Sequence, residues 1–159
     1  MIPKELITIF SQLRTPVIFA TYGNEPHATP MNWDYDEYFW VSAAGGSKKI
    51  QNMRMNKKVC IACLEGMQKK GRGFMLQGII VNMETGLLCL IKNIFILRKM
   101  LSNKSTIGIS IKLLKFALIY AKHPSVHYSA LPWKRYFIKI QIQRGSYWLE
   151  DGKKREFIA

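Results

Sequence analysis

A small, mainly β barrel dressed with a few helices is the fold that the sequence predicts. Three observations lead there. Short runs such as "VIFATY", "EYFWVSA" and "KKVCIACLE" are rich in Val, Ile and aromatic residues, and turn-forming residues separate them. Helical periodicity is confined to a few segments and does not alternate regularly with the strands, which argues against a doubly wound parallel sheet. With 159 residues, 48% apolar and 12% aromatic, the chain suits one domain with its own core, from 1 to 159, and argues against disorder.

The elements follow in order. "PKELITIFSQLR" places Leu6, Ile9, Phe10 and Leu13 at helical spacing, and Pro3 suits a first turn, so an N-terminal helix is expected. Pro16 interrupts it. "VIFATY" and "HATPMNWDY" then flank Gly23-Asn24-Glu25-Pro26, a connection with hairpin turn chemistry. Pro30 inside the second run marks an edge strand or a bulge, because proline cannot donate to a ladder. "EYFWVSA" is the third strand, reached through a tight turn over Asp34 to Glu37, and a short helix is expected from about Lys48 to Met55.

"KKVCIACLE" and "GFMLQGIIVNME" read as two further strands across a solvated Gly66 to Gly73 linker. From Gly86 to Lys122 apolar residues and lysines recur with helical rhythm around a Ser102-Asn103-Lys104-Ser105 break, which predicts two helices. Last, "RYFIKIQIQ" alternates as a strand, and "GSYWLED" follows Gly145 as its hairpin partner.

Charge limits the partners. Twenty-four Lys and Arg against 10 Asp and Glu give a formal +14, which favours an anionic partner without naming it. Apolar tracts such as "GLLCLI" and "FALIYA" are broken by lysines well short of the roughly 20 residues that a membrane span needs, so none is expected. Cys60, Cys63 and Cys89 make an odd count with no signal peptide ahead of them; a reduced, cytoplasmic protein is expected rather than a disulfide framework. Cys60 and Cys63 have C-x-x-C spacing but no second ligand pair, so they read as packed thiols and no metal is assigned.

The stretch "SAAGGSKKIQNMRMNKKV", Ser42 to Val59, carries the chemistry. Small residues and Gly45-Gly46 precede Ser47, Lys48 and Lys49 at the start of a helix, where backbone amides, a hydroxyl and ammonium groups together suit a phosphate. A plainer reading stands beside it: a glycine turn, an ordinary Ser47 cap and solvated lysines.

The order "TPVIFATYGNEPHATPMNW", then "EYFWVSAAGGSKKIQNMRMNKKVCIACLEG", then "GRGFMLQGIIVN" resembles the FMN-binding split barrel family that includes pyridoxamine 5'-phosphate oxidase and the small FMN-binding proteins. The resemblance covers roughly residues 10 to 84 and rests on Pro26-His27, the loop with Ser47 and Lys49, and Gln77-Gly78. It implies a homodimer of six-stranded antiparallel split barrels, each with an N-terminal helix and a short helix after strand 3, and FMN at the dimer interface. It also implies that the FMN phosphate sits against Ser47, Lys48 and Lys49, with Lys49 foremost. Ala28, Thr29, Pro30, Met31 and Asn32, together with Val41, Ser42, Ala43 and Ala44, would line the isoalloxazine ring. Gln77 would lie near the flavin, from its own or the facing subunit, and Gly45-Gly46 would let FMN approach the backbone. No side chain is assigned to acid-base catalysis, since hydride chemistry belongs to the flavin. His27 fits either a flavin contact or a strand end. Trp133 and Arg135 fit either closure over the partner's flavin or a core anchor beside a solvated charge.

The chain departs from this family between Thr85 and Leu149, where there is no Asp or Glu among 11 Lys and Arg. The helical insertion at about 86 to 122 is expected either to form a basic wall for an anionic small-molecule substrate, an acidic redox partner or the deazaflavin F420, or to solubilise two amphipathic helices. An FMN-dependent oxidoreductase is the leading expectation. An FMN electron carrier, an F420-binding reductase and a basic surface-binding module are its alternatives; the lack of a nucleic-acid motif speaks against nucleic acid. A pyridoxamine phosphate oxidase proper is disfavoured, because "YWLEDGKKREFIA" does not match that enzyme's C-terminal substrate motif.

Overall fold

Residues 1–13, 15–65, 71–86 and 134–159 are described by the computed structural model. Most of the Gly66 to Gly73 linker, the expected helices after Gly86, Cys89 and Trp133 lie outside the described residues. Helix α1 (Lys4–Gln12) leads into β1 (Val17–Tyr22), β2 (Pro26–Met31), β3 (Trp33–Tyr35) and β4 (Phe39–Ala44). Helix α2 (Lys48–Met55), β5 (Lys58–Glu65), β6 (Arg72–Glu84), β7 (Arg135–Trp148) and β8 (Lys154–Ile158) follow.

One antiparallel sheet contains all the described strands, in the order β2-β1-β5-β6-β7-β4-β3, with β8 pairing β7 off this path. Only Asn32 separates β2 from β3, yet the two stand at opposite ends of the path. The sheet must therefore curl until its ends meet at that corner without pairing, which is a split barrel. Pro30 lies in β2, an edge strand, where its missing N–H costs no ladder bond.

Strand alternation puts Val17, Phe19, Val41, Ile61, Leu76 and Ile140 inside. Helix α1 closes one mouth: Leu6, Ile9 and Phe10 are buried, and Phe10 meets Phe74 edge-on at 5.1 Å. Trp33 stacks on Phe39 at 4.9 Å and donates its indole N–H to the Thr15 carbonyl at 2.9 Å. That bond satisfies the polar end of a largely apolar side chain.

Three details correct the expectations. The second strand, read as one run, is broken at Asn32: Val17 pairs with Met31, but Trp33 pairs with Val41, because the chain changes partner at the barrel corner. Asp34 belongs to β3 and is buried, so the tight turn begins at Asp36, whose Oδ1 accepts the Tyr38 amide at 2.9 Å and the Trp40 indole at 3.0 Å. Gly145 is no turn. It lies within the continuous strand β7, where a Cβ would come 2.6 Å from the Met75 carbonyl, so glycine is there for close backbone packing. The turn falls instead at Gly152 (φ +70°), whose N–H donates to the Leu149 carbonyl, and it leads into β8. The described strands number eight where the resemblance implies six, through the Asn32 break and β8.

Candidate functional site

Helix α2 bridges the seam of the barrel, packing against β1, β2 and β4. Its inner face is fixed by Ile50 and Met53, both fully buried, and by Asn52. The Asn52 amide donates to the Glu25 carbonyl at 3.0 Å and to the Thr21 hydroxyl at 3.4 Å, tying the helix to the β1–β2 turn. Gly23 makes room for it, since a Cβ there would lie 2.6 Å from Asn52 Oδ1.

The amino end of α2 emerges from β4. The Ser47 amide donates to the Ala44 carbonyl at 3.1 Å, and the Ser47 carbonyl accepts the Ile50 amide at 3.0 Å, so Ser47 occupies the N-cap. Its hydroxyl does not cap. Ser47 Oγ is buried and has no hydrogen-bond partner among the described residues, an arrangement that costs free energy until something supplies one.

Two cations belong to the same region of the chain. Lys49 is half-buried, and its pKa is lowered first by desolvation and then by the charge of Arg135. Arg135, the first residue of β7, stands opposite Ala44, and burial lowers its pKa as well. Its Nε donates to Ser42 Oγ and its Nη2 to the Ser42 carbonyl, both at 3.0 Å. Neither Lys49 nor Arg135 has an ion-pair partner among the described residues. Two half-buried cations without an ion-pair partner among the described residues make a candidate anion site.

Lys48 points elsewhere: its ammonium pairs with Glu25 at 3.2 Å on the surface. Gly45 packs against β7, where a Cβ would lie 2.9 Å from the Lys134 carbonyl and 3.2 Å from the Tyr136 ring. That contact gives this glycine a packing reason within the chain itself. Tyr136 in turn accepts a hydrogen bond from Arg54 Nη2 at 2.8 Å, which adds a cation from the last turn of α2.

Of the residues expected to line a ring, Met31, Val41 and Ala43 bury their side chains in the core, so only their backbone remains for a ligand. Ala28, Pro30 and Asn32 are exposed, Thr29, Ser42 and Ala44 partly so. Ala28 and Gln77 share an open cleft of about 620 Å³, with His27, Lys58, Cys60 and Arg144 also on its walls. Arg144 Nε donates to Gln77 Oε1 at 2.7 Å, which leaves the Gln77 amide nitrogen as the outward donor. Cys60 faces this cleft whereas Cys63 is buried against Thr15, so the C-x-x-C pair is split between the two faces of β5. Burial pushes both thiols up.

Sequence reasoning singled out Ser47 and Lys49 but did not anticipate that Arg135 of β7 is held by Ser42 of β4. Arg135 was expected to act toward another chain or as a solvated charge; within its own chain its guanidinium donates to Ser42, and its charge lowers the Lys49 pKa. The acid-free stretch that contains it was the available signal. Ser42, expected at a ring, is the anchor of that guanidinium.

A curled antiparallel half-barrel with α1 at one mouth and α2 on the seam is the fold of the FMN-binding split-barrel proteins related to pyridoxamine 5'-phosphate oxidase. A conserved hypothetical protein from Mycobacterium tuberculosis superposes with a TM-score of 0.68 at 18% identity, covering 94% of this chain and 86% of that one. An F420 reductase gives 0.59 at 14% identity, covering 91% and 98%. A FAD-binding protein from Mesorhizobium loti gives 0.58 at 16% identity, covering 92% and 94%. At such identities the fold is what is shared. No protein-family model and no curated protein matches the chain. No helix among the described residues is long and apolar enough to cross a membrane.

Proposed function

We propose that the protein binds FMN, with its phosphate held at the start of α2, and acts as an oxidoreductase in a homodimer. The observation that carries this reading is the buried Ser47 hydroxyl, unpartnered among the described residues, two positions ahead of Lys49, with Lys49 and Arg135 both half-buried and without an ion-pair partner among those residues. Those residues fit a phosphate: its oxygens would accept from Ser47 Oγ, from the Lys49 ammonium and from the first amides of α2, which have no intrahelical acceptors. Lys48 is committed to Glu25 and would contribute only long-range charge. Backbone of β2 and β4, with Ser42 and Ala44, remains the expected wall for the ring, and Gln77 offers a donor from the 620 Å³ cleft.

When bound, FMN supplies the hydride or electron chemistry. The chain supplies placement and charge. Positive charge near the cofactor also favours an anionic substrate or an acidic redox partner, as the overall +14 does.

The test is the visible spectrum of purified protein titrated with FMN. Flavin bands that shift on binding, with affinity lowered about 10-fold or more in Lys49→Ala, are expected for a lost charge-assisted contact. A spectrum identical to free FMN at every protein concentration would overturn the reading. A deazaflavin is the second reading, supported by the F420 reductase among the structural neighbours and by the excess of basic residues. Stoichiometric uptake of F420 with none of FMN would favour it. A flavin carrier without a substrate of its own would accept electrons once from a partner and turn nothing over.

A further inference from the structure

We propose that the groove over β6, β7 and β8, on the outer face of the sheet, is a second ligand site that takes a small carboxylic acid with an apolar body, Arg144 receiving the carboxylate. The site lies apart from the one proposed for the flavin phosphate and uses none of its residues.

A bulge in β7 creates it. Ile138, Ile140 and Ile142 are buried in the core, and unbroken alternation would carry position 144 inward after them. Instead Ile142 pairs with Gly78 and Arg144 with Gln77, so Gln143 is an extra residue and the alternation is reset. Tyr147 turns to the core, while Arg144 and Ser146, two positions apart, share the outer face at about 7 Å along the strand. Register surrounds them: Gln77 and Ile158 stand either side of Arg144, Met75 and Glu156 either side of Ser146. All six line one groove of about 750 Å³, a size usual for small-molecule sites.

The polar groups of the groove suit one negative charge. Arg144 Nε donates to Gln77 Oε1 at 2.7 Å, which orients the guanidinium and leaves its Nη hydrogens uncommitted among the described residues. Those hydrogens match the two oxygens of a carboxylate in one plane. Lys154 is spent on Glu156, 2.7 Å away, so Arg144 is the cation of the groove without an ion-pair partner among those residues. A phosphate monoester carries close to two negative charges and would leave one uncompensated in a groove that also holds Glu156. Ser146 is the other unsatisfied group. It is 7% exposed, yet its hydroxyl has no hydrogen-bond partner among the described residues, a cost that a polar atom of the ligand removes. Met75 and Ile158, 47% and 84% exposed, offer apolar surface beside these groups, and covering it favours an apolar body on the acid.

The full-length protein, with and without added FMN, would be titrated calorimetrically with phenylacetate, hexanoate, the neutral phenylacetamide and inorganic phosphate. Both acids are expected to bind at one site per chain, about 10-fold or more tighter than the amide or phosphate. Arg144→Gln should lose about 10- to 100-fold in affinity for the acids, and Ser146→Ala a smaller factor of about 3 to 10. Ser146→Ala removes one oxygen and carries the test if Arg144→Gln fails to fold, as judged by circular dichroism. Lys58→Gln is the control for charge alone: Lys58 lines the neighbouring cleft, so affinity for the acids should be unchanged. Acid and amide bound equally, or an equal loss in Lys58→Gln, would reduce the effect to the general attraction of a +14 chain and overturn the site. No binding of either acid at millimolar concentration would overturn it as well, and because the titration is also made without FMN, that result leaves the flavin reading standing.

Discussion

Asn52 shows how one side chain ties a site to its fold. It is 1% exposed and donates to both Glu25 and Thr21, so α2 cannot shift along the seam without stranding a buried amide. Asn52→Ala should destabilise the chain by about 1–3 kcal/mol, read by urea unfolding, and Asn52→Asp should do no better, because a carboxylate cannot donate. Lys49 presents the opposite balance. Its pKa in the folded chain lies below the ordinary 10.5, so the unfolded state binds more protons in the window just under that value. Stability therefore rises with pH through that window, and the penalty stands in full at neutral pH. Lys49→Met should accordingly raise the melting temperature of ligand-free protein at pH 7 while weakening flavin uptake. A lower melting temperature in that variant would show that the ammonium is compensated, and the anion site would lose its main support.

At the scale of elements, what the sequence made legible follows local chemistry. Helix α2 is found over Lys48 to Met55 as expected, and β1 over "VIFATY", because their patterning and turn residues agree with where they pack. What failed was governed by partners far along the chain. Nothing local in "HATPMNWDY" announces that the strand changes neighbour at Asn32, since that depends on where the barrel closes. Gly145 looked like a turn because glycine usually is one between alternating runs. The cross-strand approach of Met75, some 70 residues away in the chain, gives it a different task. Asp151-Gly152 was a turn signal that sequence reading could have used, and it marks the true connection to β8. The same logic hid how Arg135 is held: Ser42, which accepts both of its hydrogen bonds, comes from β4. Gly145→Val therefore tests packing rather than turn geometry. A Cβ 2.6 Å from a β6 carbonyl and 2.8 Å from Leu76 forces β6 and β7 apart, so the variant should lose several degrees in melting temperature. A variant as stable as wild type would return Gly145 to the role of a flexible joint.

On the whole molecule, the outer face of β1, β5 and β6 is apolar where a monomer would keep it polar. Ile18 is 49% exposed, Tyr22 57%, Leu64 61% and Met75 47%. Register gathers them: Ile18 stands opposite Ala62, and Ala62 opposite Met75, in one row across three strands. Scattered apolar residues need no explanation, but a contiguous exposed row on a sheet face is the kind of surface that the proposed homodimer would cover. The proposed homodimer would use this face, which continues into the cleft holding Ala28 and Gln77, so that association and cofactor binding would share residues. Ile18→Asp combined with Met75→Glu places two like charges in the centre of that row. In a two-fold dimer each would meet its own copy or a neighbour of the same sign across a drying interface, a cost that area burial cannot offset. Sedimentation equilibrium should then show wild type at twice the chain mass and the double variant at the chain mass, with FMN affinity lowered in the monomer. A wild type that sediments as a monomer with FMN fully bound would remove the dimer from the proposal, and the cofactor site would then have to be complete within one chain.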